Sequence, residues 1–216
     1  MITINRSDRV VIVGTTGAGK TVLAKFLLSM TNRAIVIDPK HTFRLEGFKL
    51  NRGINFPRFF KKDFQMLVRP KRDDDEKLSD FLIAAFRDRN VTIYCDELAV
   101  MAERYPESLS VMKEIALTGR EKNVSLWNAT QRPRGIPRIF FTEAEVFFIF
   151  RMNDSDDRDH VAGYTGPEVK QRIPRHQFYY YRGEEDAPRL MTLDLGRRNV
   201  YPIQETIKEG GSYEFG

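Results

Sequence analysis

The sequence of 216 residues predicts one α/β domain with a mainly parallel sheet that helices cover on both faces. Two observations support this fold class. Short apolar runs rich in β-branched residues alternate with amphipathic runs from residue 9 to about residue 177, as expected for parallel strands joined by crossover helices. The first apolar run also leads into a glycine-rich loop that opens a helix, and ligands bind at this edge of such sheets.

The first element is a strand followed by a loop suited to phosphate. Val10–Val13 is a β-branched run, and residues 21–28 have the apolar face of a helix. Between them, residues 14–21 match the pattern G-x-x-x-x-G-K-[ST]. In such loops N–H groups and the helix end attract phosphate, the lysine reaches the β- and γ-phosphates, and the hydroxyl ligates Mg²⁺. We therefore predict an ATP and Mg²⁺ site, with Thr21 as a metal ligand, formed by Gly14, Thr15, Thr16, Gly17, Ala18, Gly19, Lys20 and Thr21.

The remaining elements follow in order along the chain. An amphipathic helix is predicted at residues 78–89, and a further helix begins near Pro106. Residues 39–62 mix Pro, Gly, aromatic and basic residues and predict a long irregular excursion. We place the domain in residues 1–196 and predict that residues 197–216 form a tail that is loosely ordered or packs on a neighbour. Further strands are predicted at 34–38, 64–68, 91–97, 124–131 and 145–150, with a β-hairpin at 178–183 and 189–195.

Composition excludes several classes of protein. A single cysteine, Cys95, cannot form a disulfide framework, and the three histidines have no ligand spacing with it or with one another, which argues against zinc. No apolar run approaches the length of a membrane span, and the phosphate loop begins too early to leave room for a signal peptide, so we expect a cytoplasmic protein. A net charge of +5 and a pI near 9.3 favour a polyanionic partner.

Two acidic residues end the strand at 91–97. The apolar strand delivers Asp96 to the carboxyl edge of the sheet, where one acid holds Mg²⁺ in phosphate-loop enzymes. Glu97 follows directly, and a carboxylate beside the metal ligand can polarise a water for attack on the γ-phosphorus. Small-molecule kinases need no such water-activating base, because their nucleophile is the substrate. We therefore predict that Asp96 contributes to the metal site and that Glu97 is the catalytic base.

A polar amide ends the strand at 124–131. If this strand lies between those at 10–13 and 91–97, Gln131 lies at the same sheet edge as Glu97. There it can contact the γ-phosphate or the attacking water and report hydrolysis to the next segment. The alternative for a single Gln at a strand end is a simple cap.

Taken together, four motifs resemble the FtsK/HerA superfamily of DNA-translocating ATPases. They are GTTGAGKT at residues 14–21, VIDPK at 36–40, IYCDE at 93–97 and TGREKNVSLWNATQRPRGIP at 118–137. The last is the most specific, because the family shows an Arg-bearing helix end, a strand and then T-Q-[RS]-P. The resemblance covers roughly residues 8–195, which is nearly the whole chain.

The resemblance implies a P-loop NTPase of the RecA-like ASCE type, with three layers and a C-terminal β-hairpin. Its strand order would be 5-1-4-3-2, where the strands at 10–13, 34–38, 91–97, 124–131 and 145–150 are numbered 1 to 5. It also implies a homo-oligomeric ring, usually a hexamer, in which ATP hydrolysis moves double-stranded DNA through the pore.

In such rings an arginine finger neutralises charge on the γ-phosphate bound by the neighbouring subunit. Arg120 is the first candidate for this finger, and Arg138 and Arg151, which flank the strand at 145–150, are alternatives. A charge at a helix C-terminus without any catalytic role is the other interpretation of Arg120.

In contrast to larger members of the superfamily, we expect no membrane anchor, HerA-type barrel, winged helix or nuclease domain within these 216 residues. In this respect the sequence resembles genome-packaging ATPases of tailless, membrane-containing viruses. The main hypothesis is therefore a viral packaging motor in the host cytoplasm or on the virion, with a capsid vertex or portal-like protein as a further partner. A HerA-like or conjugative DNA pump is the nearest alternative. A P-loop kinase or nucleotide-dependent switch, and a scaffold without hydrolysis, are alternatives of other classes.

The basic excursion is a candidate DNA-gripping segment. Residues 40–62 carry seven basic residues against one acid, interleaved with five phenylalanines. We predict that part of this segment contacts phosphates in the ring channel. The phenylalanines would anchor the segment, because duplex DNA exposes no free base faces. A surface flap with solvated charges is the alternative. The basic residues are Lys40, Arg44, Lys49, Arg52, Arg58, Lys61 and Lys62.

Overall fold

The computed structural model of the chain describes residues 2, 4–55, 63–183, 185–194 and 199–202, the last range through its backbone alone. Ten strands in these residues form one sheet, flanked by six helices. The strands are β1 (Val10–Val13), β2 (Arg33–Ile37), β3 (Lys49–Asn51), β4 (Phe64–Val68), β5 (Val91–Asp96), β6 (Val124–Thr130), β7 (Val146–Phe150), β8 (Gln177–Arg182), β9 (Arg189–Asp194) and β10 (Asn199–Pro202). The helices are α1 (Lys20–Ser29), α2 (Asp75–Asp88), α3 (Leu98–Arg104), α4 (Pro106–Thr118), α5 (Ile139–Thr142) and α6 (Ser155–Thr165).

The sheet order is β10-β9-β8-β7-β1-β6-β5-β2-β4-β3. Its central strands, β7-β1-β6-β5-β2, are parallel and follow the succession that the resemblance implied. The complete order differs from the five-strand expectation because further strands extend both edges. On one side β4 and β3 add parallel strands, and on the other β8, β9 and β10 add antiparallel ones.

Two apolar layers cover the sheet, one on each face. Successive residues of β1 point to opposite faces, so Val11 and Val13 pack in one layer while Val10 and Ile12 pack in the other. Helices α2 and α4 contribute their apolar stripes to the first layer, and α1 contributes to the second. All four side chains of β1 are 0–1% exposed, which explains its continuous β-branched sequence. This strand is the rigid base of the phosphate-binding loop.

Some local elements differ from the sequence-based expectations. The excursion contains β3, whose three residues pair with β4 and are too few to give a periodic signal. Helices α3, α5 and α6 were not predicted from the sequence. A cap signal was present for α6, since the Asp154 side chain accepts hydrogen bonds from the N–H groups of Asp156 and Asp157.

The predicted β-hairpin is present as β8 and β9. Beyond the predicted boundary at residue 196, β10 continues the meander through antiparallel pairing with β9. Residues 203–216 lie outside the described residues, so the order of the tail and the boundary of the domain stay predictions. Across the described ranges, the helices are all too short or too polar to cross a membrane.

Candidate active site

The predicted site residues meet at the carboxyl edge of the central sheet. Strand register places Val13 beside both Thr130 and Ile149, and Asp96 beside Ala129. The loops that follow β1, β5, β6 and β7 therefore emerge side by side. This is the edge at which parallel α/β sheets bind their ligands.

The phosphate-binding loop is packed tightly against β7. Gly14 has φ +148° and Gly19 has φ +120°, conformations that residues with a side chain rarely adopt. A Cβ atom at Gly14 would lie 2.6 Å from Cβ of Phe150, and one at Gly19 would lie 2.9 Å from its Cε1. The N–H group of Thr15 donates to the carbonyl of Arg151 at 2.9 Å. Glycine is thus required at both positions for the loop to approach β7 so closely.

Lys20 is the first residue of α1, and its side chain turns back over the loop. Only 8% of the residue is exposed. Its Nζ donates to the carbonyl oxygens of Gly14 at 2.6 Å and Thr15 at 3.0 Å. The ammonium therefore lies at the centre of the loop, where its hydrogen bonds can be exchanged for bonds to phosphate oxygens.

We expect nucleotide affinity to fall as pH rises above about 8. Burial, together with the nearby Lys40, lowers the pKa of Lys20 from 10.5 to about 8, against the opposing charges of Glu97 and Asp96. Bound phosphates favour the ammonium, so the pKa of Lys20 rises in the complex. Binding above that pH must then take up a proton, and affinity decreases with pH.

Calorimetric titration of ADP in buffers of different ionisation enthalpy measures this proton uptake. The contribution of Lys20 to this uptake should be near zero at about pH 6.5, where Lys20 is protonated in both states. An affinity that stays constant from about pH 7 to about pH 9.5 would contradict the assignment of Lys20 to the phosphates.

Asp96 is a buried carboxylate at the end of β5. The hydroxyl of Tyr94 donates to its Oδ1 at 2.9 Å. Burial raises the pKa of Asp96, and the Tyr94 hydrogen bond opposes this increase. A metal ion or its bound water would favour the ionised form in the same way as the tyrosine does.

The donor set suits a magnesium ion held together with a nucleotide. Thr21, in the first turn of α1, offers a hydroxyl, and Asp96 offers a carboxylate. No cluster of three or more His, Cys, Asp or Glu side chains that could hold a metal occurs among the described residues. Because Mg²⁺ keeps most of its ligands as water and phosphate oxygen, one hydroxyl and one carboxylate fit it without a larger protein cage.

Glu97 is held by contacts from two other loops. Its Oε1 accepts hydrogen bonds from the Thr130 hydroxyl and from the N–H group of Gln131, both at 3.0 Å. Its Oε2 lies 3.5 Å from Nζ of Lys40. The residue is 7% exposed and has φ +94°, which is rare for a residue with a side chain. A strained, buried carboxylate held on both oxygens is typical of a functional position.

Gln131 connects the phosphate loop to Glu97. Strand β6 lies between β1 and β5, which is the condition under which the sequence placed Gln131 at this edge. The Thr16 hydroxyl donates to Oε1 of Gln131 at 2.5 Å, while the Gln131 N–H group donates to Glu97. The side chain is therefore more than a strand cap, although its role in hydrolysis stays a prediction.

The candidate arginine fingers lie at different edges of the sheet. Arg120 is exposed in the 3₁₀ turn Gly119–Lys122, which precedes β6 and so lies at the amino-terminal edge, away from its own phosphate loop. Arg151 follows β7 and lines the cavity beside its own loop. Arg138 is exposed at the start of α5. The choice of Arg120 over Arg138 and Arg151 as the finger stays a prediction.

A cavity of about 410 Å³ opens beside the loop and contains residues that the sequence analysis missed. Asn153 and Arg175 belong to segments without regular periodicity, so no sequence signal marked them. Lys40 was placed with the DNA-gripping cations, although its position in the VIDPK motif could have indicated the active site. The cavity is lined by Thr15, Thr16, Gln131, Arg132, Arg151, Asn153 and Arg175.

Comparison with known proteins identifies a sequence relative and solved structures of similar fold. No family model matches the chain. A sequence relative, DNA packaging ATPase P9 of Enterobacteria phage PRD1, is 24% identical over 172 residues, which are 77% of this chain and 74% of that protein. The genome packaging NTPase B204 from Sulfolobus turreted icosahedral virus 2, in complex with AMPPCP, superposes with a TM-score of 0.65 at 18% identity, covering 87% of this chain and 98% of that one.

The chain has a P-loop ATPase fold like that of B204. The pCW3 conjugation coupling protein TcpA, in its monomer form with ATPγS, is also similar, with a TM-score of 0.63 and 19% identity over 87% of this chain and 60% of that one. The viral and the conjugative protein thus both resemble this chain in fold.

Proposed function

We propose that the chain is an ATP-hydrolysing motor that moves double-stranded DNA into a viral capsid. The observation that carries this proposal is the Glu97 carboxylate, which is held by Thr130 and the Gln131 N–H group at the phosphate-loop edge of the sheet. A kinase needs no base at this position. The similarity to the phage packaging ATPase P9 and to the viral genome packaging NTPase B204 favours packaging over other ATP-driven activities.

The chemistry follows from the residues around the loop. Loop N–H groups and the Lys20 ammonium bind the triphosphate, and Thr21 with Asp96 would hold Mg²⁺. The metal ion, when bound, neutralises charge on the β- and γ-phosphates. Glu97 accepts a hydrogen bond from the attacking water and polarises it toward the γ-phosphorus. Gln131, which contacts both Thr16 and Glu97, transmits the loss of the γ-phosphate to the segment after β6.

Turnover in this proposal requires a homo-oligomeric ring, most simply a hexamer. Arg120 would enter the neighbouring site from the amino-terminal edge of its own sheet and neutralise the developing charge. Duplex DNA occupies the channel, and a capsid vertex or portal-like protein docks the ring in the host cytoplasm or on the virion. A conjugative DNA pump is the second candidate, supported by the fold similarity to TcpA.

Linear duplex DNA should stimulate ATP hydrolysis, and the stimulation should depend on the basic excursion. Arg44, Lys49 and Arg52 are exposed there. Replacing all three by alanine should reduce DNA stimulation while basal hydrolysis survives. The slope of log affinity against log salt should flatten by about 0.9 for each phosphate contact that is lost. The other predicted contacts, Arg58, Lys61 and Lys62, lie outside the described residues.

A triple variant of Lys71, Arg72 and Lys77 is the matched control, because it removes the same charge from exposed positions around the start of α2. This variant should keep both the stimulation and the salt slope. If wild-type hydrolysis is indifferent to DNA, the motor function fails and a nucleotide-dependent switch is favoured. If DNA still stimulates hydrolysis by the Arg44, Lys49 and Arg52 variant, the described part of the excursion does not bind the DNA. Arg132, Arg134 and Arg138 are then the next candidates for DNA-binding residues.

A further inference from the structure

Lys40 places a second ammonium in the candidate active site. It lies just after β2, which neighbours β5 in the sheet, and its Nζ is 3.5 Å from Oε2 of Glu97. Its charge also lowers the pKa values of Lys20 and Asp96, so it influences both the phosphate loop and the end of β5. The sequence pattern grouped Lys40 with DNA-binding cations, but its side chain is directed to the carboxylate that we assign as the base.

The buried carboxylate of Asp38 fixes the backbone around Lys40. Asp38 is 0% exposed. It accepts hydrogen bonds from the N–H groups of Thr42 at 3.0 Å and Phe43 at 2.9 Å, and it pairs with Nε of Arg69 at 3.0 Å. These contacts close the turn around Lys40 and hold it at the edge of the sheet.

The same turn packs against the strand that bears the acid pair. Phe43 is 1% exposed, and its ring lies 5.5 Å from the ring of Tyr94, whose hydroxyl holds Asp96. On the other side, Arg69 donates to the Phe43 carbonyl at 2.6 Å. Contacts with β5 and with the turn after β4 therefore fix the backbone position of Lys40.

We propose that Lys40 is a positioning residue that orients the Glu97 carboxylate through Oε2. Thr130 and Gln131 bind the other oxygen, so the lysine supplies the contact that fixes the plane of the carboxylate. A buried carboxylate that lost this partner would turn toward another cation or toward solvent. The inference rests on the proposed ATP hydrolysis, because it describes how Glu97 is prepared to act.

Replacing Lys40 by methionine should reduce kcat by roughly ten- to hundredfold, the scale of misplacing a catalytic group by about 1 Å. Affinities for ADP and for a non-hydrolysable ATP analogue should stay within about twofold, because the lysine acts through Glu97. Lys40→Arg should restore part of the rate. Lys77→Met is the matched control, since it removes an exposed lysine of α2 whose Nζ also lies 3.5 Å from a carboxylate oxygen, that of Asp74, and it should leave kcat unchanged.

A double-mutant cycle with Glu97→Gln tests whether Lys40 affects kcat through Glu97. Lys40→Met should cause no further loss in the Glu97→Gln background, since groups that act as a unit are not additive. An equal loss in both backgrounds would overturn the proposal. So would a variant that binds ATP weakly but keeps kcat, which would make Lys40 a phosphate ligand.

A readout that does not require hydrolysis separates this inference from the proposed function. The N–H group of Gln131 donates to Glu97, so its amide resonance in NMR spectra reports the carboxylate position. Lys40→Met should shift this resonance and Lys77→Met should not, with unchanged thermal unfolding confirming that both variants fold. An unshifted resonance overturns the positioning role, whereas a shifted resonance with an inactive wild-type protein overturns only the hydrolytic function.

Discussion

Replacing Glu97 by glutamine is expected to stop ATP turnover while nucleotide binding persists. The amide oxygen of glutamine can still accept the hydrogen bonds that Thr130 and Gln131 donate to Oε1. It cannot polarise the attacking water as a carboxylate does, so we expect a loss of at least about a hundredfold in kcat. The phosphate loop does not change, and therefore ADP affinity should remain close to that of the wild-type protein.

Single-turnover hydrolysis and nucleotide binding, measured on the same preparation, check this expectation. Glu103→Gln is the matched control, because Glu103 is an exposed glutamate on α3, the helix that begins just after Glu97. It should keep full activity. Nearly normal hydrolysis by the Glu97 variant would remove the water-polarising role from this residue and direct attention to another acid.

Replacing Arg120 by alanine is expected to lower turnover in assembled rings by about a thousandfold or more, the range known for arginine fingers. Nucleotide affinity of isolated subunits should not change, because Arg120 lies at the sheet edge opposite to its own phosphate loop. Arg87→Ala is the control, since it removes an exposed arginine near the end of α2, just before β5. Steady-state hydrolysis by rings and by dilute subunits provides the comparison.

Mixed rings test whether the arginine acts between subunits. Subunits with Arg120→Ala retain Glu97, and subunits with Glu97→Gln retain Arg120. At some interfaces of a mixed ring, an intact Glu97 meets an intact Arg120, so partial activity should return. Well-mixed rings without any recovery would count against Arg120 and favour Arg138 or Arg151.

Much of the fold could be predicted from the sequence because the evidence for it is local. The continuous β-branched run of β1 predicts a strand buried on both faces, and its residues are 0–1% exposed. The glycines of the phosphate loop mark backbone conformations that other residues avoid, as the positive φ angles of Gly14 and Gly19 show. The acid pair and Gln131 could be placed at one edge because parallel strands share a carboxyl end.

The contacts within the site could not be predicted in the same way. The pairing of Lys40 with Glu97 depends on where the turn after β2 lies relative to β5, and that turn is fixed by Asp38 and Arg69. Sequence composition grouped Lys40 with the DNA-binding cations, because the sequence around a charged residue does not show which residue it pairs with in the fold. Likewise, the approach of Arg175 to the phosphate loop follows from the antiparallel strands beyond β7.

The sequence by itself determined the order of the central strands, through its motifs and their family resemblance, and the identity of the phosphate loop. It also determined which carboxylates and which amide end the strands beside that loop. Only the tertiary structure decided which side chain holds each oxygen of Glu97 and which arginine faces away from its own nucleotide site. The physical reason is that short-range sterics and periodicity fix strands and turns, whereas side-chain ion pairs form between segments that sheet packing alone brings together.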